Sequence, residues 1–540
     1  MLLEIEFEKI PGFSRLFCDF LKRAPFFIER LADEQNLFEN HQIIEKKLKS
    51  YTKRKQFLQL LAESNSDIEL TEQQKENLKV ISKENSVVVM TGQQPAVFGG
   101  PLYTLYKSLS AIQLCNKLKE HYPDYDFVPV FWLEDNDHDI QEATQVYLLD
   151  NLGNPLAPDV SQSSNPNKKQ SISNLPIDNN LISFLEFYLE SNNFTLSQPL
   201  LVSQILNFYK NEKYLVVPFK KIINLVTGKF GLLFLSSSLC RKNYAFVEII
   251  QKELEYAGTS NKIIETTNQL IESKGYHIQA KSSVVNIFFH LDGERIKVNL
   301  DTETNKYRIK NEIYSAQELL TLFKNFPTNF SPNVLLRPIC QDFIVPTIAS
   351  ILGPSEIGYT TQLPELYNWF SVVMPAIVPR HSLTFVPAEF SKNLAGYEFE
   401  ILFQSRESLE KMIYFQNRDI ELLQQIENLE IRFKSIFKEM QEIASCIDRT
   451  LVASSDAHFS KSFRFFQALK EKIFSNERRK ILEKFRSVLY LNRLIFPKGT
   501  LQERFFATIY PLLIFGTEKF SNTIEPIFTK PRNKHYLIVI

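Results

Sequence analysis

The stretch from Ser86 to Asp139 limits the folds open to this chain more than any other. Val87, Val88, Val89 and Met90 form a short apolar run bounded by turn residues, which predicts a buried strand. Thr91, Gly92, Gln93, Gln94 and Pro95 break that run, and Gly99, Gly100 and Pro101 make a second turn. Leu105, Leu109, Ile112 and Leu118 then recur at helical spacing between Tyr103 and Leu118. Phe127 to Trp132 reads as a second strand and runs directly into Glu134, Asp135, Asn136, Asp137, His138 and Asp139. Strand, loop, helix, strand is one βαβ unit, with a glycine-containing loop and an acidic cluster both at carboxyl ends of strands. Open parallel sheets bind ligands at those ends.

The rest of the chain extends this unit. Candidate parallel strands fall at 86–90, 127–132, 231–235, 334–337 and 375–379. Arg337-Pro338 is read as the close of the fourth, Gln341–Ile351 as a helix, and Leu352–Glu356 as a tight turn. Strands alternating with helices predict an α/β sheet. The chain has 540 residues, so two or three domains are expected. Residues 1–144 read as an N-terminal arm, with helices, and the first part of the core. Residues 145–330 read as a connecting insertion, with an irregular excursion at 151–180, helices at 181–192, 198–211 and 245–257, one core strand, and a hairpin around Asp292-Gly293. Residues 331–396 return to the core, and 497–540 rejoin it. The basic run Lys46, Lys47, Lys49, Lys53, Arg54 and Lys55 reads as a solvated helix face or a phosphate patch.

Residues 397–496 contain neither Gly nor Pro. Leu422, Ile426, Leu429, Phe433, Ile436, Met440, Ile443 and Ile447 recur there at steps of four and three, the heptad period of a coiled coil. Val452–Asp456 reads as a turn with Ser454, Ser455 and Asp456 as helix caps, so the segment is expected to be a protruding antiparallel helical hairpin. Its apolar seam is longer than one irregular partner helix needs, which predicts a homodimer through the coiled coil.

Charge narrows the partners. Lys+Arg and Asp+Glu are both 62, so no basic field draws nucleic acid or a membrane surface. Five cysteines without CxxC spacing fit a reducing cytoplasm and no zinc site. Glu4, Glu6, Glu8 and Lys9 interrupt any secretory signal, and no apolar run reaches membrane length.

The chemistry-bearing residues gather at the strand ends. The Thr91–Pro101 loop is neither a GxGxxG fingerprint nor a Walker A box, yet its glycines permit close backbone approach to an anion. Lys107 lies one turn inside the helix behind it, either solvated or within reach of such an anion. His138 between Asp137 and Asp139 suits a general base oriented by a carboxylate. Asp135, Asp137 and Asp139 alternate onto one face and offer oxygen ligands to Mg²⁺, or else merely cap the next helix. Arg337 can clamp a carboxylate or simply hold a loop, and Gly353 to Glu356 form a turn beside it. His290 and His535 have no companions at metal spacing and read as structural or exposed.

These segments also carry a family resemblance. TGQQPAVFGGPLYTLYKSLSAI resembles the TGQQ…F-x-GPLYT-x-YK stretch of the BshC family of bacillithiol biosynthesis. The likeness continues in VPVFWLEDNDHDIQE, SPNVLLRPICQDFIVPTIASILGPSEIGY and FPKGTLQER, in the family's order, over residues about 86 to 504. Asn136, Gly99 and Ser355 stand where the family pattern has Glu, Thr and Gly, and SSSLC at 236–240 lacks the usual acidic residue. The resemblance implies a nucleotidyltransferase-like Rossmann core with connecting insertions. It implies addition of cysteine to the free amine of glucosaminyl-malate. Forming that amide at neutral pH requires an activated carboxylate; ATP/ADP as the activating nucleotide, with Mg²⁺ as a companion, is an inference from the reaction and the fold. The implied catalytic residues are Asp137, His138, Asp139 and Arg337. The implied nucleotide-binding residues are Thr91, Gly92, Gln93, Gln94, Gly99, Gly100, Lys107, Gly353 and Glu356. The alternative is a non-catalytic nucleotide-binding scaffold that assembles other enzymes through its coiled coil. A tRNA-handling enzyme is disfavoured by zero net charge and by the lack of HIGH and KMSKS motifs.

Overall fold

The computed structural model describes residues 2–150, 153–158, 171–388 and 399–540. It forms two compact units, Met1–Val386 with Thr500–Ile540, and Pro387–Gly499.

The first unit is built on a five-stranded, wholly parallel sheet. Its strands are β1 (Ser86–Gln93), β2 (Asp126–Leu133), β3 (Leu233–Ser236), β4 (Thr347–Leu352) and β5 (Ala376–Pro379), in the order β5-β4-β1-β2-β3. The pleat explains the unbroken apolar run in β1. Val88 and Met90 join one buried cluster with Val128, Val130 and Trp132, while Val87 and Val89 join another with Phe127 and Ile348. Both faces are covered, so neither face tolerates polar alternation. The helix behind the loop runs Leu102–His121. The strand order reverses between β1 and β4, and that switch point opens a crevice at the carboxyl ends.

The fourth predicted strand is corrected. Residues 334–337 are no strand: Asn333 Oδ1 accepts from the N–H groups of Leu335 and Leu336, and the helix Arg337–Ile344 starts with Pro338 in its first turn. The fourth strand is β4, inside the stretch read as the helix Gln341–Ile351. Pro346 ends the helical path, and Ile348, Ala349 and Ile351 are fully buried in the sheet.

The expected hairpin is present. Ile287–Leu291 and Glu294–Lys297 pair antiparallel across Asp292 and Gly293, both at positive φ (50° and 81°) as a tight hairpin turn requires. Helices occupy Asn179–Ser191, Pro199–Lys210 and Val247–Glu255, close to the predicted spans. Of the 151–180 excursion, residues 151–152 and 159–170 lie outside the described residues. The chain ends meet in a second sheet, where Leu2–Glu6 runs antiparallel to Lys534–Val539, itself parallel to Ser382–Val386. The basic run is divided. Lys47 is buried and donates to the Asp342 carbonyl, and Arg54 holds the Ile81 and Ser86 carbonyls, while Lys46, Lys49 and Lys55 are exposed.

The second unit contains the long helices Ile420–Ile447 and Leu451–Lys484, joined at Asp448–Thr450 rather than at Val452–Asp456. The Thr450 N–H donates to Asp448 Oδ1 at 2.8 Å, and Ser454, Ser455 and Asp456 lie inside the second helix. The seam between them is narrower than the heptad stripe suggests. Phe433 packs on Phe437, Phe459, Phe463 and Phe466, and Glu430 binds Lys470 at 2.6 Å. Leu429, Ile436, Met440, Ile443 and Ile447 face outward, 50–76% exposed.

Candidate active site

The crevice at the switch point is lined by the carboxyl ends of β1, β2 and β4. A chamber of about 140 Å³ brings together Thr91, Gly92, Gln93, Gln94, Glu134, Asp137, Arg337 and Glu356. Gly92 is required by close strand packing, since a Cβ there would stand 2.7 Å from the Trp132 carbonyl oxygen. Gln94 donates to the Asp139 carbonyl at 2.6 Å, while its Oε1 is buried without a partner at the chamber wall. That orphan acceptor suits a ligand N–H or O–H.

The loop ends are tied across the crevice by Lys107. Its Nζ binds Glu356 Oε2 at 2.6 Å, the Gly92 carbonyl at 2.9 Å and Gln93 Oε1 at 2.9 Å, using all three ammonium donors. Burial pushes the Lys107 pKa down, against the pull of Glu356. Glu356 in turn accepts the Gly353 N–H at 2.7 Å and caps the helix Pro354–Thr360. Lys107 and Gly353 line an adjoining chamber of about 160 Å³ with Tyr103, Glu142, Arg380 and Arg504.

Gly99 and Gly100 do not reach either chamber. Both have positive φ (80° and 69°), and a Cβ on Gly99 would meet Ile222 at 2.6 Å. Thr508 donates to both of their carbonyls. This turn is a packing device, buried by an apolar helix and the C-terminal segment, rather than an open anion cradle.

The acidic cluster separates into distinct jobs. Asp135 is buried and accepts the hydroxyls of Ser236, Ser237 and Ser238 at 2.7, 2.9 and 2.7 Å, plus the Ser238 N–H at 2.7 Å. It ties the segment after β2 to the end of β3 and the start of the helix Ser237–Lys242, which explains why the SSSLC segment is rich in serine. Asn136 stays in the same buried layer, donating to Ser237 and accepting from Arg241. Asp139 caps the helix Ile140–Thr144 by accepting the Glu142 N–H at 3.0 Å. The three aspartates therefore face different partners. Among the described residues no group of three His, Cys, Asp or Glu side chains is placed to hold a metal ion. The cluster does not fit Mg²⁺ as a shared three-carboxylate nest.

Asp137 remains at the crevice, with His138 in the chamber beside it. Asp137 Oδ1 lies 3.4 Å from His138 Nδ1 and 3.1 Å from Arg295 Nη1. Burial pushes the Asp137 carboxyl up, but the His138 and Arg295 donors together hold it below the ordinary range. Asp137 Oδ1 also accepts the His138 backbone N–H at 2.7 Å, and Arg295 Nη1 lies 3.5 Å from the same Nδ1. When Nδ1 carries its proton toward Asp137, the Nε2 lone pair is free to act as a base. Arg337 stands opposite. It donates to Tyr359 Oη at 2.8 Å and Gln341 Oε1 at 3.1 Å, with its Nε 3.6 Å from Glu134 Oε2. Burial raises the Glu134 pKa, against Arg337 and the Trp132 N–H. Burial raises Glu142 as well.

The sequence reading missed Glu134, Glu142, Tyr359 and Arg295 as parts of the site. Glu134 and Glu142 sit inside the VPVFWLEDNDHDIQE segment, which is signal enough to find them. Nothing local marks Arg295, which arrives from the hairpin. His290 and His535 are structural. His290 bonds Ser331 at 2.8 Å and is driven by burial to a pKa of about 2, and His535 bonds Ser382 and Thr384.

Comparison with known proteins assigns the family. Residues 2–381 match the family described as "Bacillithiol biosynthesis BshC, N-terminal Rossmann-like domain". Residues 383–540 match "Bacillithiol biosynthesis BshC, C-terminal coiled-coil domain". A relative from Chlorobaculum tepidum is 28% identical over 94% of this chain and 93% of its own length. One from Flavobacterium psychrophilum is 29% identical over 97% of both. One from Prosthecochloris aestuarii is 30% identical over 71% of this chain and 69% of its own. Each bears the name "Putative cysteine ligase BshC". With the parallel sheet, its switch-point crevice and both family matches in hand, the chain belongs to the BshC family of bacillithiol biosynthesis.

Proposed function

We propose that this chain is a ligase that joins the carboxyl carbon of L-cysteine to the amine nitrogen of glucosaminyl-malate, giving bacillithiol. The observation that carries this is that a histidine flanked by a carboxylate, His138, and a half-buried arginine, Arg337, line one chamber beside the crevice. The new C–N bond forms as the C–O bond to the activating group breaks, and the amine loses a proton to His138 Nε2. Asp137 holds the imidazole and stabilises the imidazolium that results. Arg337 supplies positive charge for the cysteine carboxylate and for the oxyanion that develops during attack. The buried Gln94 Oε1 offers an acceptor for the cysteine ammonium or a ribose hydroxyl.

A bound nucleotide would supply the carboxylate activation. Thr91–Gln94, Gly353 and Glu356 would hold it, with Arg504 at the rim of the adjoining chamber. Lys107 and Arg380 act through the carboxylates they already bind, Glu356 and Glu503.

The test is direct. Purified protein is incubated with cysteine, glucosaminyl-malate and ATP, and bacillithiol is sought by mass spectrometry. Product that depends on all three reactants supports the reading. Nucleotide binding without product, with other biosynthetic enzymes co-purifying, points to the scaffold role instead.

A further inference from the structure

Beside the crevice lies a second chamber of about 330 Å³, which shares Glu134, Asp137 and Arg337 with the first. We propose that this chamber is a dicarboxylate subsite, and that it receives the malyl group of the acceptor. The malyl assignment rests on the ligase reading, while the dicarboxylate subsite stands on the chamber's own charge.

Four cationic side chains line the chamber, Lys281, Arg295, Lys297 and Arg337, against two carboxylates, Glu134 and Asp137. The two arginines answer the two carboxylates, at 3.1 Å for Arg295–Asp137 and 3.6 Å for Arg337–Glu134. The lysines are left over. Among the described residues neither Lys281 nor Lys297 has a carboxylate within ion-pair distance, so two positive charges stand unanswered. A four-carbon diacid carries two negative charges at the spacing of two side chains.

The wall is built to focus that charge. Arg295 and Lys297 are two residues apart on one hairpin strand and so share a face. Arg295 is pinned by the Pro332 carbonyl at 2.8 Å and lies 4.1 Å over the Phe288 ring. Ile287 and Val285 complete an apolar floor, which raises the field of the cations above it. His138 lines this chamber, and Asp137 borders both. A ligand anchored by two carboxylates here would present its amine to His138, with the activated cysteine in the first chamber.

The experiment uses the full chain and L-malate alone as probe, followed by calorimetry. L-malate is expected to bind at least about tenfold more tightly than the monocarboxylate L-lactate, and the Lys281→Ala/Lys297→Ala variant to lose about tenfold in malate affinity, with lactate nearly unchanged. Both lysines are exposed, so the variant should keep the wild-type circular dichroism and melting curve. In turnover, the variant should raise KM for the acceptor and leave KM for cysteine alone. Equal malate affinity in variant and wild type, or no preference over lactate, overturns the subsite whether or not product forms. Lysine-dependent malate binding without any product keeps the subsite and removes the ligase reading.

Discussion

Arg295 Nη1 stands 3.1 Å from Asp137 Oδ1, so a hairpin side chain 158 residues downstream completes the electrostatics of the acidic cluster. Together with the His138 hydrogen bond, this contact holds the Asp137 carboxyl below the ordinary range against its burial, which favours the carboxylate beside the histidine. His138→Ala is expected to cut product formation by about 10²–10⁴ while the protein melts as wild type, because the side chain is only partly buried. Asp137→Asn should do nearly as much harm, whereas Asp139→Asn should trim helix capping and leave most of the rate. Single-turnover product formation beside thermal melts separates these outcomes. If His138→Ala retains full activity, the base lies elsewhere and Glu142 is the next candidate.

Asp135 should behave differently from its neighbours. Four donors converge on its buried carboxylate, so Asp135→Ala strands three hydroxyls and an N–H around a cavity. The expected loss is several kcal/mol of stability, visible in chemical denaturation, with activity falling in step with folded protein. Loss of activity at wild-type stability would instead place Asp135 in the chemistry.

Glu503, in the FPKGTLQER segment, predicts a pH dependence. It is fully buried, binds Arg380 at 2.6 Å and accepts from Ser382 at 2.9 Å and the Leu383 N–H at 3.1 Å. Burial raises its pKa, but Arg380 and Ser382 hold it below the ordinary range. The unfolded chain therefore takes up this proton more readily than the folded one. The stabilisation is whole above the unfolded value of about 4.3 and is lost as pH falls through the folded pKa. Glu503→Gln should flatten that acid limb and cost roughly 3–5 kcal/mol at pH 7, because Arg380 is left buried and unpaired. Denaturation midpoints at pH 3 to 7 for both proteins check it.

The legible parts of this fold are those where local pattern and tertiary burial agree. β1 and β2 are buried on both faces, and their apolar runs announce it. The hairpin is announced by Asp292-Gly293, whose φ values admit few other residues. The fourth strand was misplaced because Pro338 and Pro346 bracket a short helix, and a proline near a helix start looks much like one that closes a strand. Pro346 was the available clue, since a helix does not run through it unkinked. Gly99 and Gly100 misled for a related reason: positive φ is visible in sequence, but what fills the space beside it is not. Arg295, Ser236 and Tyr359 join the site only through long-range pairing, which no local spacing encodes.

The outward stripe of the long helix carries the last prediction. Phe433, one of the heptad positions, faces the second helix and stacks on Phe466 at 5.2 Å, so replacing it would unpack the hairpin itself. Ile436, Met440 and Ile443 are different, being more than half exposed along one side of the helix. An apolar stripe of this length in water favours association, and a two-fold contact between identical chains is its simplest cover. Wild-type protein is therefore expected to sediment as a dimer at micromolar concentration. Ile436→Glu with Met440→Glu should shift it to monomer with little change in the melting of the parallel-sheet unit. A wild-type protein that is monomeric under those conditions would leave the stripe without a partner copy and sink the idea.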